Sequence, residues 1–330
     1  MQTSILNRPT RVPNLRTPTH QAIRIERFGT PDVIRLQEID QPVPGPGQVL
    51  VRVKAAGVGP WDALIRAGHS ALVKDRDLPL TLGSDIAGVV EFVGPEARGF
   101  AVGTEIFGVT NAQFIGGYAQ FAVASAEMIA IKPRTMSFQD AASVPVVAVT
   151  AWQMLFAHAK LKRGQTVLVL GAAGNVGAYA VQLARSLGVR VIATGAPDEV
   201  SRLCLLGADE VVDFRQGTLR MTPGSVDAVI DTVGGSLQAQ AVGLLRPGGK
   251  FVSAVSQVAA DVPRPDGVLC TFFYVDVTTQ CLSDLSALID AGMLQPCVGA
   301  VLPLSDARVA HEMLDGLRPR PRGKIVLSVS

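Results

Sequence analysis

The sequence predicts an α/β protein of two parts, a β-rich region and a doubly wound parallel sheet. Three observations carry this. The chain has 330 residues, more than one ordinary core accommodates. From Gln21 to about Pro133, short alternating runs are punctuated by Gly and Pro, which is the pattern of strands and turns. From Thr166 to Ser256, short apolar runs alternate with stretches of helical periodicity, the pattern of parallel strands joined by crossover helices.

Taken in order, the strands of the first region read as "AIRIER", "VIRLQEI" and the run Val49 to Lys54 behind the turn "PVPGPG". The Gly-punctuated "TLGSDIAGVVEFVG" and "VGTEIFGVT" follow, then two strands in "GGYAQFAVASAEMIAIKP". The character changes at Ser137, a candidate N-cap with Asp140 three residues on; the apolar helix behind it is broken by Pro145. Strand "TVLVLGA", helix "NVGAYAVQLARSLG" and strand "RVIATG" come next. After these stand helix "EVSRLCLLGA", strands "EVVDF" and "VDAVIDTVG", a helix "LQAQAVGLLRPGG" taken to end at Gly248, and strand "KFVSAVS". "GVLCTFFYVDV" is apolar and β-rich. The chain closes with helix "LSDLSALIDAG", strand "GAVLPL", helix "SDARVAHEMLDG" and strand "GKIVLSV".

Composition narrows the function. Hydrophobic residues make up 48% and charged residues 18%, beside 33 Gly and 21 Pro, as in a well-packed soluble protein with many turns. The net charge is +2 with no dense basic run, which speaks against nucleic acid and anionic membrane as partners. The 4 Cys, at 204, 270, 281 and 297, form no CxxC pair and have no nearby His, so neither a disulfide framework nor a cysteine metal site is expected. A reducing, cytoplasmic setting suits them. No apolar run is long enough to cross a bilayer. The first twenty residues carry three Arg, three Pro and no acid. A transit peptide shares that charge bias, but the prolines spoil an amphipathic helix, and residues 1–19 read as a disordered tail.

The chemistry starts at "VLVLGAAGNVG". A buried strand running through a glycine turn straight into a helix is the context of the dinucleotide fingerprint, although Ala172 stands at its first glycine. Gly174 lets backbone approach a pyrophosphate, Gly177 lets the helix pack on the sheet, and the helix N-terminus favours phosphate. An acid at the end of the next strand would bind the ribose of NAD; Thr194 and Gly195 stand there instead. A hydroxyl and a free N–H suit a 2′-phosphate, and Arg202 lies within a helix's reach, so NADPH is the expected cofactor. Asp198 and Glu199 argue the other way.

The ordered set "PVPGPGQVLVRVKAAGVGPWDALIRAG", "LGSDIAGVVEFVG", "GGYAQFAVA", "VLVLGAAGNVGAYAVQLARSLG", "LGADEVVDF", "DTVGG", "LLRPGGKFVS" and "PRGKIVLSV" resembles the medium-chain dehydrogenase/reductase superfamily, in its zinc-free quinone oxidoreductase branch. The resemblance covers nearly everything after the tail. It implies a GroES-like catalytic domain over 20–145 and 289–330, around a Rossmann domain over 146–288, and a homodimer paired through "GVLCTFFYVDV". Zinc members carry a cysteine, a histidine and a second cysteine where this chain has Gly59, Ser84 and Val146, none of which can bind zinc. The four histidines are scattered. No metal is therefore expected, and hydride would go to an already electrophilic acceptor. The branch often has Asn at Gly59 and Tyr at Leu64, so this chain departs from it at the pocket.

By the same resemblance, Gly174, Asn175 and Val176 contact the pyrophosphate, while Thr194 and Gly195 sit at the 2′-phosphate with Phe214 beside the adenosine. Val233 falls near the adenine ribose, Ala254 and Val255 beside the nicotinamide ribose. Phe272 and Phe273 offer backbone to the carboxamide. Thr150 either contacts the cofactor or bonds its own helix, and Asp62 holds its loop. Ser84, Tyr118 and Tyr274 are the candidate proton donors, each set against a packing role. Gly59, Trp61, Ser84, Val146, Phe273 and Tyr118 are expected to line the pocket, with Trp61 either walling it or packing its own loop. The expected function is NADPH-dependent, zinc-independent reduction of a quinone or an α,β-unsaturated carbonyl compound. The alternative is a catalytically silent NADPH-binding structural or regulatory protein.

Overall fold

A computed structural model describes residues 18–215 and 217–330. Most of the tail expected over 1–19 lies outside the described residues, and Thr19 already belongs to a strand. The first region comprises β1 (Thr19–Ile25), β2 (Arg35–Asp40), β3 (Gln48–Val58), α1 (Pro60–Arg66), β4 (Leu80–Thr81), β5 (Asp85–Val93), β6 (Glu105–Val109), β7 (Phe121–Ser125) and β8 (Ile129–Ile131). Two short helices, α2 (Phe138–Ala142) and α3 (Pro145–Trp152), lead out of it.

Ser137 caps α2 as its position suggests, its Oγ accepting the Asp140 N–H at 3.1 Å. Pro145 does not interrupt a helix but starts one. It stands at the first position of α3, where a missing N–H costs nothing. α3 runs on into a π-helical stretch, Gln153–His158. The Gln153 side chain braces that stretch, donating to the Asp276 carbonyl at 2.6 Å and accepting the Asp276 N–H at 3.1 Å.

Then come β9 (Thr166–Leu170), α4 (Asn175–Ser186), β10 (Arg190–Thr194), α5 (Val200–Leu206), β11 (Glu210–Val212), β12 (Val226–Asp231), α6 (Leu237–Gly243), β13 (Leu245–Ser253) and β14 (Leu269–Phe272). All the pairings are parallel and the order is β11-β10-β9-β12-β13-β14. This is the strand order of a Rossmann sheet, whose direction of winding reverses between β9 and β12. Alternate residues of β9 feed opposite cores: Val167 and Val169 pack with α3 and α4, Leu168 and Leu170 with α6. α6 ends at Gly243 rather than at Gly248. Leu245 already pairs with Val226, and the Pro-Gly-Gly that reads as a helix stop forms an irregularity inside β13.

α7 (Thr279–Asp290), β15 (Val298–Pro303), α8 (Ala307–Leu314) and β16 (Lys324–Ser328) complete the chain. β16 runs antiparallel to β3 and parallel to β15, closing a seven-stranded sheet β15-β16-β3-β5-β6-β8 in which β7 also pairs with β3. A second small sheet holds β2, β1 and β4. The last strand thus returns to the first region, and one apolar core spans both. Ala55, Ala87 and Phe107 share it with α3, α4 and β9.

Candidate active site between the two sheets

Ligands of a doubly wound sheet bind outside the strand carboxyl ends where the winding reverses, here at the turns after β9 and β12. The turn after β9 is shaped by Gly171, with φ +74, where a Cβ would come within 2.5 Å of Thr232 Oγ1. At Gly177 a Cβ would lie 2.2 Å from the Gly171 carbonyl oxygen, so only glycine lets α4 pack this close. At Gly174 a Cβ would meet only the Gly171 oxygen, at 3.2 Å, leaving the mouth of the turn open. No side chain caps α4, and helix geometry leaves its first N–H groups without intrahelical acceptors. This open cradle at Gly174, Asn175 and Val176 fits a dinucleotide pyrophosphate.

The loop after β12 is organised by Asp231, fully buried. One carboxylate oxygen accepts the N–H groups of Val233 (3.0 Å) and Gly234 (2.9 Å); the other accepts from Gln238 (2.7 Å) and Ser253 Oγ (2.8 Å). Ser253 Oγ accepts in turn from the Val255 and Ser256 N–H groups. One carboxylate thus fixes both loops that carry Val233, Ala254 and Val255. Val233, Val255 and Phe214 stay exposed along the strand ends, and Ala254 packs half-buried on the shared core.

The adenosine end differs from expectation. Thr194 is buried, its hydroxyl accepting the Gly171 N–H at 3.0 Å and donating to the Val169 carbonyl at 3.3 Å. The Gly195 N–H goes to the Val212 carbonyl at 3.1 Å. Neither is free for a phosphate; Thr194 shapes the turn instead. Arg202 does reach the turn, donating to the Ala173 carbonyl at 3.2 Å. The two acids that argue against a phosphate are already matched. Arg322 reaches Asp198 at 2.5 Å and Glu199 at 2.9 Å, and Arg202 lies 3.6 Å from Glu199.

The wall facing this trough comes from the first turn of α1 and its N-cap Gly59. Asp62 accepts the Gly59 N–H at 2.7 Å and the Tyr118 hydroxyl at 2.9 Å on one oxygen, holding the loop shut. The Trp61 ring folds back over Gly59, where a Cβ would meet it at 2.4 Å. Trp61 Nε1 donates to Ser84 Oγ at 3.4 Å, a long bond. Trp61 therefore packs its own loop and also stays half-buried at the junction of two cores. On the opposite side, the Phe273 ring meets His158 of the π-helical stretch at 4.3 Å and packs on the shared core.

Several expected roles do not survive this geometry. Tyr118 is fully buried beneath Gly83 with its hydroxyl spent on Asp62, and burial holds its pKa well above the usual range. Ser84 is fully buried behind Trp61. Tyr274 stands exposed at the sheet edge against Phe272. None presents a hydroxyl between Trp61 and Phe273. Thr150 donates to the Val146 carbonyl of its own helix at 2.7 Å. The Phe273 N–H continues the sheet to the Ser253 carbonyl at 3.4 Å, beyond the β14 pairing of Phe272. Of the six residues expected to line the pocket, Trp61 and Phe273 keep exposed surface; Gly59, Ser84, Val146 and Tyr118 stand behind it.

Sequence reasoning missed Asp85 and Lys324 behind that wall, and Asp231 beneath the loops opposite it. A lone lysine opening the otherwise apolar "KIVLS" was the available signal. Among the described residues, no group of three His, Cys, Asp or Glu is placed to hold a metal ion, and no helix is long and apolar enough to cross a membrane.

A nucleotide-type cradle facing a second, β-rich domain is an architecture shared with nicotinamide-dependent oxidoreductases. Comparison with known proteins specifies it further. Residues 45–134 match the alcohol dehydrogenase GroES-like domain, and residues 206–327 match the zinc-binding dehydrogenase family. The latter span contains none of Gly59, Ser84 and Val146. The quinone oxidoreductase of Mus musculus is 33% identical over 311 residues, covering 88% of this chain and 93% of its own length. A mitochondrial NAD(P)H oxidoreductase of Bos taurus is 30% identical, over 92% of this chain and 88% of its own. The structure of the quinone oxidoreductase from Coxiella burnetii superposes with a TM-score of 0.83 at 30% identity, covering 95% of this chain and all of that one. The chain belongs to the medium-chain dehydrogenase/reductase superfamily, in its quinone oxidoreductase-like branch.

Proposed function

We propose that the chain is an NADPH-dependent reductase of quinones or α,β-unsaturated carbonyl compounds that works without zinc. The observation that carries this reading is the apolar wall: Trp61 and Phe273 face the trough, while Ser84 is buried behind Trp61 and Tyr118 is buried with its hydroxyl donated to Asp62. Such a wall suits a planar acceptor that is electrophilic on its own, because it supplies no polarising group. Bound NADPH would supply hydride. The chain's part is to seat the pyrophosphate on the Gly174–Val176 turn, to hold the Val233 and Val255 loops through Asp231, and to exclude water between Trp61 and Phe273. Solvent is the proton source in this reading. Preference for NADPH is supported by Arg202 on the turn and by the pairing of Asp198 and Glu199 with Arg322, which lowers the charge a 2′-phosphate would meet. The same reading takes the enzyme as a cytoplasmic homodimer joined along β14.

Oxidation of NADPH and of NADH with quinones, enals and enones tests it. Turnover with NADPH and an electrophilic acceptor is expected. Tight NADPH binding with no turnover on any of these acceptors would favour a silent nucleotide-binding protein instead.

A further inference from the structure

A buried ion pair stands just behind the cleft wall. Lys324 opens β16 with a side chain only 2% exposed. Its Nζ donates to Asp85 Oδ2 at 2.8 Å, and Asp85 is fully buried. The other side of the ammonium is an aromatic face, with Nζ lying 4.6 Å from the centroid of the Trp61 ring. Asp85 is itself fixed, its second oxygen accepting the Val146 N–H from the first turn of α3 at 3.2 Å. Gly57 lies beside the pair: a Cβ there would first meet the Ala142 carbonyl oxygen at 2.3 Å, then Asp85 Cβ at 3.0 Å and Lys324 Cε at 3.1 Å.

Tying β5 to β16 does not require charge. The two strands flank β3 in one sheet, and a buried apolar pair of similar volume would join them with no desolvation cost. What an apolar pair would not supply is a cation beneath the indole. Trp61 has one long hydrogen bond to Ser84, a partly buried ring packed at the junction of two cores, and no side chain under it at Gly59. Its orientation therefore depends on what its buried face touches, and that includes an ammonium held in place by a carboxylate.

The geometry points to Lys324 as a positioning residue for acceptor specificity: anchored by Asp85, its ammonium clamps the Trp61 indole over Gly59 and so sets the width of the slot for a planar electrophile. Lys324 acts through Trp61 and touches neither acceptor nor cofactor. The inference rests on the reductase reading for its functional consequence, but the clamp exists in the protein without ligand.

Two measurements test it. The variant is Lys324→Met combined with Asp85→Asn, which removes the charge while leaving no unpaired ion; Lys324→Arg retains the cation. In a Trp152→Phe background Trp61 is the one remaining tryptophan of the chain's two. The double variant should then shift Trp61 emission and raise its quenching by acrylamide, and Lys324→Arg should restore much of the original signal. With NADPH, the ratio of kcat/KM for a bulky naphthoquinone to that for a small enal should change by about threefold to tenfold, the scale of one cation–π contact. In a Trp61→Leu background the double variant should leave that ratio unmoved. Unchanged emission, a fall in thermal stability alone, or a ratio that still moves without Trp61 would overturn the clamp. Absence of turnover in the unaltered protein would sink the reductase reading, while the fluorescence result would still decide the clamp.

Discussion

Asp62 sits fully buried in the first turn of α1, which carries Trp61, with two donors on one carboxylate oxygen and no partner for the other. Burial pushes its pKa up to about 7, with the Gly59 N–H, Lys324 and Tyr118 pulling the other way and Asp85 adding to the rise. The folded protein thus holds this proton more tightly than the unfolded chain, whose carboxyl titrates near 3.8. Its stabilisation is complete below that value and is lost as pH rises toward 7. His311 runs opposite: burial, then Arg66, lower its pKa from 6.5 to about 3, so its contribution is full above 6.5 and lost as pH falls toward 3. The two slopes oppose each other between pH 4 and 6.5. Asp62→Asn should remove one of them, so that urea midpoints of the variant rise with pH over that window more steeply than those of the unaltered protein. At the other end of the trough, the NADPH reading predicts that Arg202→Ala weakens NADPH by about tenfold, the scale of one charge-assisted hydrogen bond, and NADH much less. Titration of both cofactors checks this. Gly195→Asp, the change the sequence suggests, is a poorer probe, because a Cβ there meets Leu203 Cδ1 at 2.4 Å and disturbs packing as well as charge.

At the scale of elements, the β9–turn–α4 unit is the most demanding piece of backbone in the site. Gly177→Ala places a methyl 2.2 Å from the Gly171 oxygen and 2.7 Å from Ala172 Cα, both backbone atoms that cannot step aside. The helix must retreat from the turn. Thermal melts should show a loss of about 1–3 kcal/mol, the usual cost of overpacking, together with weaker nucleotide binding. β14 is exposed in the opposite sense. It is the last strand of its sheet, Leu269 keeps 57% of its surface and Tyr274 keeps 79%. An edge of this kind invites another strand. Sedimentation should give a dimer at micromolar concentration, and Leu269→Lys should shift it toward monomer. A monomer from the unaltered protein would count against pairing along this edge.

Across the whole molecule, the C-terminal segment decides how the two sheets face each other. Arg322 reaches the nucleotide sheet through Asp198 and Glu199, and Lys324, two residues on, reaches Asp85 beneath the wall. Gly59, Ser84 and Val146, the positions to which the family resemblance assigns zinc ligands in zinc-binding members, lie around this point. At these positions stand a glycine covered by the Trp61 indole, a buried hydroxyl and a backbone N–H bonded to Asp85. The zinc-independent reading therefore predicts no stoichiometric zinc by elemental analysis of the purified protein. It also predicts that prolonged chelation leaves NADPH oxidation intact.

The sequence by itself determined the α/β class, the turn at Gly171–Gly177 and the family, because these depend on local periods and on glycines whose need is set within a few residues. It also showed Gly59 and Leu64 where the branch often has Asn and Tyr, and left Trp61 open between walling the pocket and packing beside Gly59. Tertiary structure decided the rest. Whether Thr194 is a ligand or a turn-maker depends on the Gly171 N–H brought beside it by a neighbouring strand. Whether Tyr118 and Ser84 can donate protons depends on burial by segments far away in the chain. Local pattern likewise placed the end of α6 five residues late, because pairing of Leu245 with β12 overrides the glycine stop. The Asp85–Lys324 pair spans 239 residues, and no local pattern records a contact that forms only when β16 returns to β3.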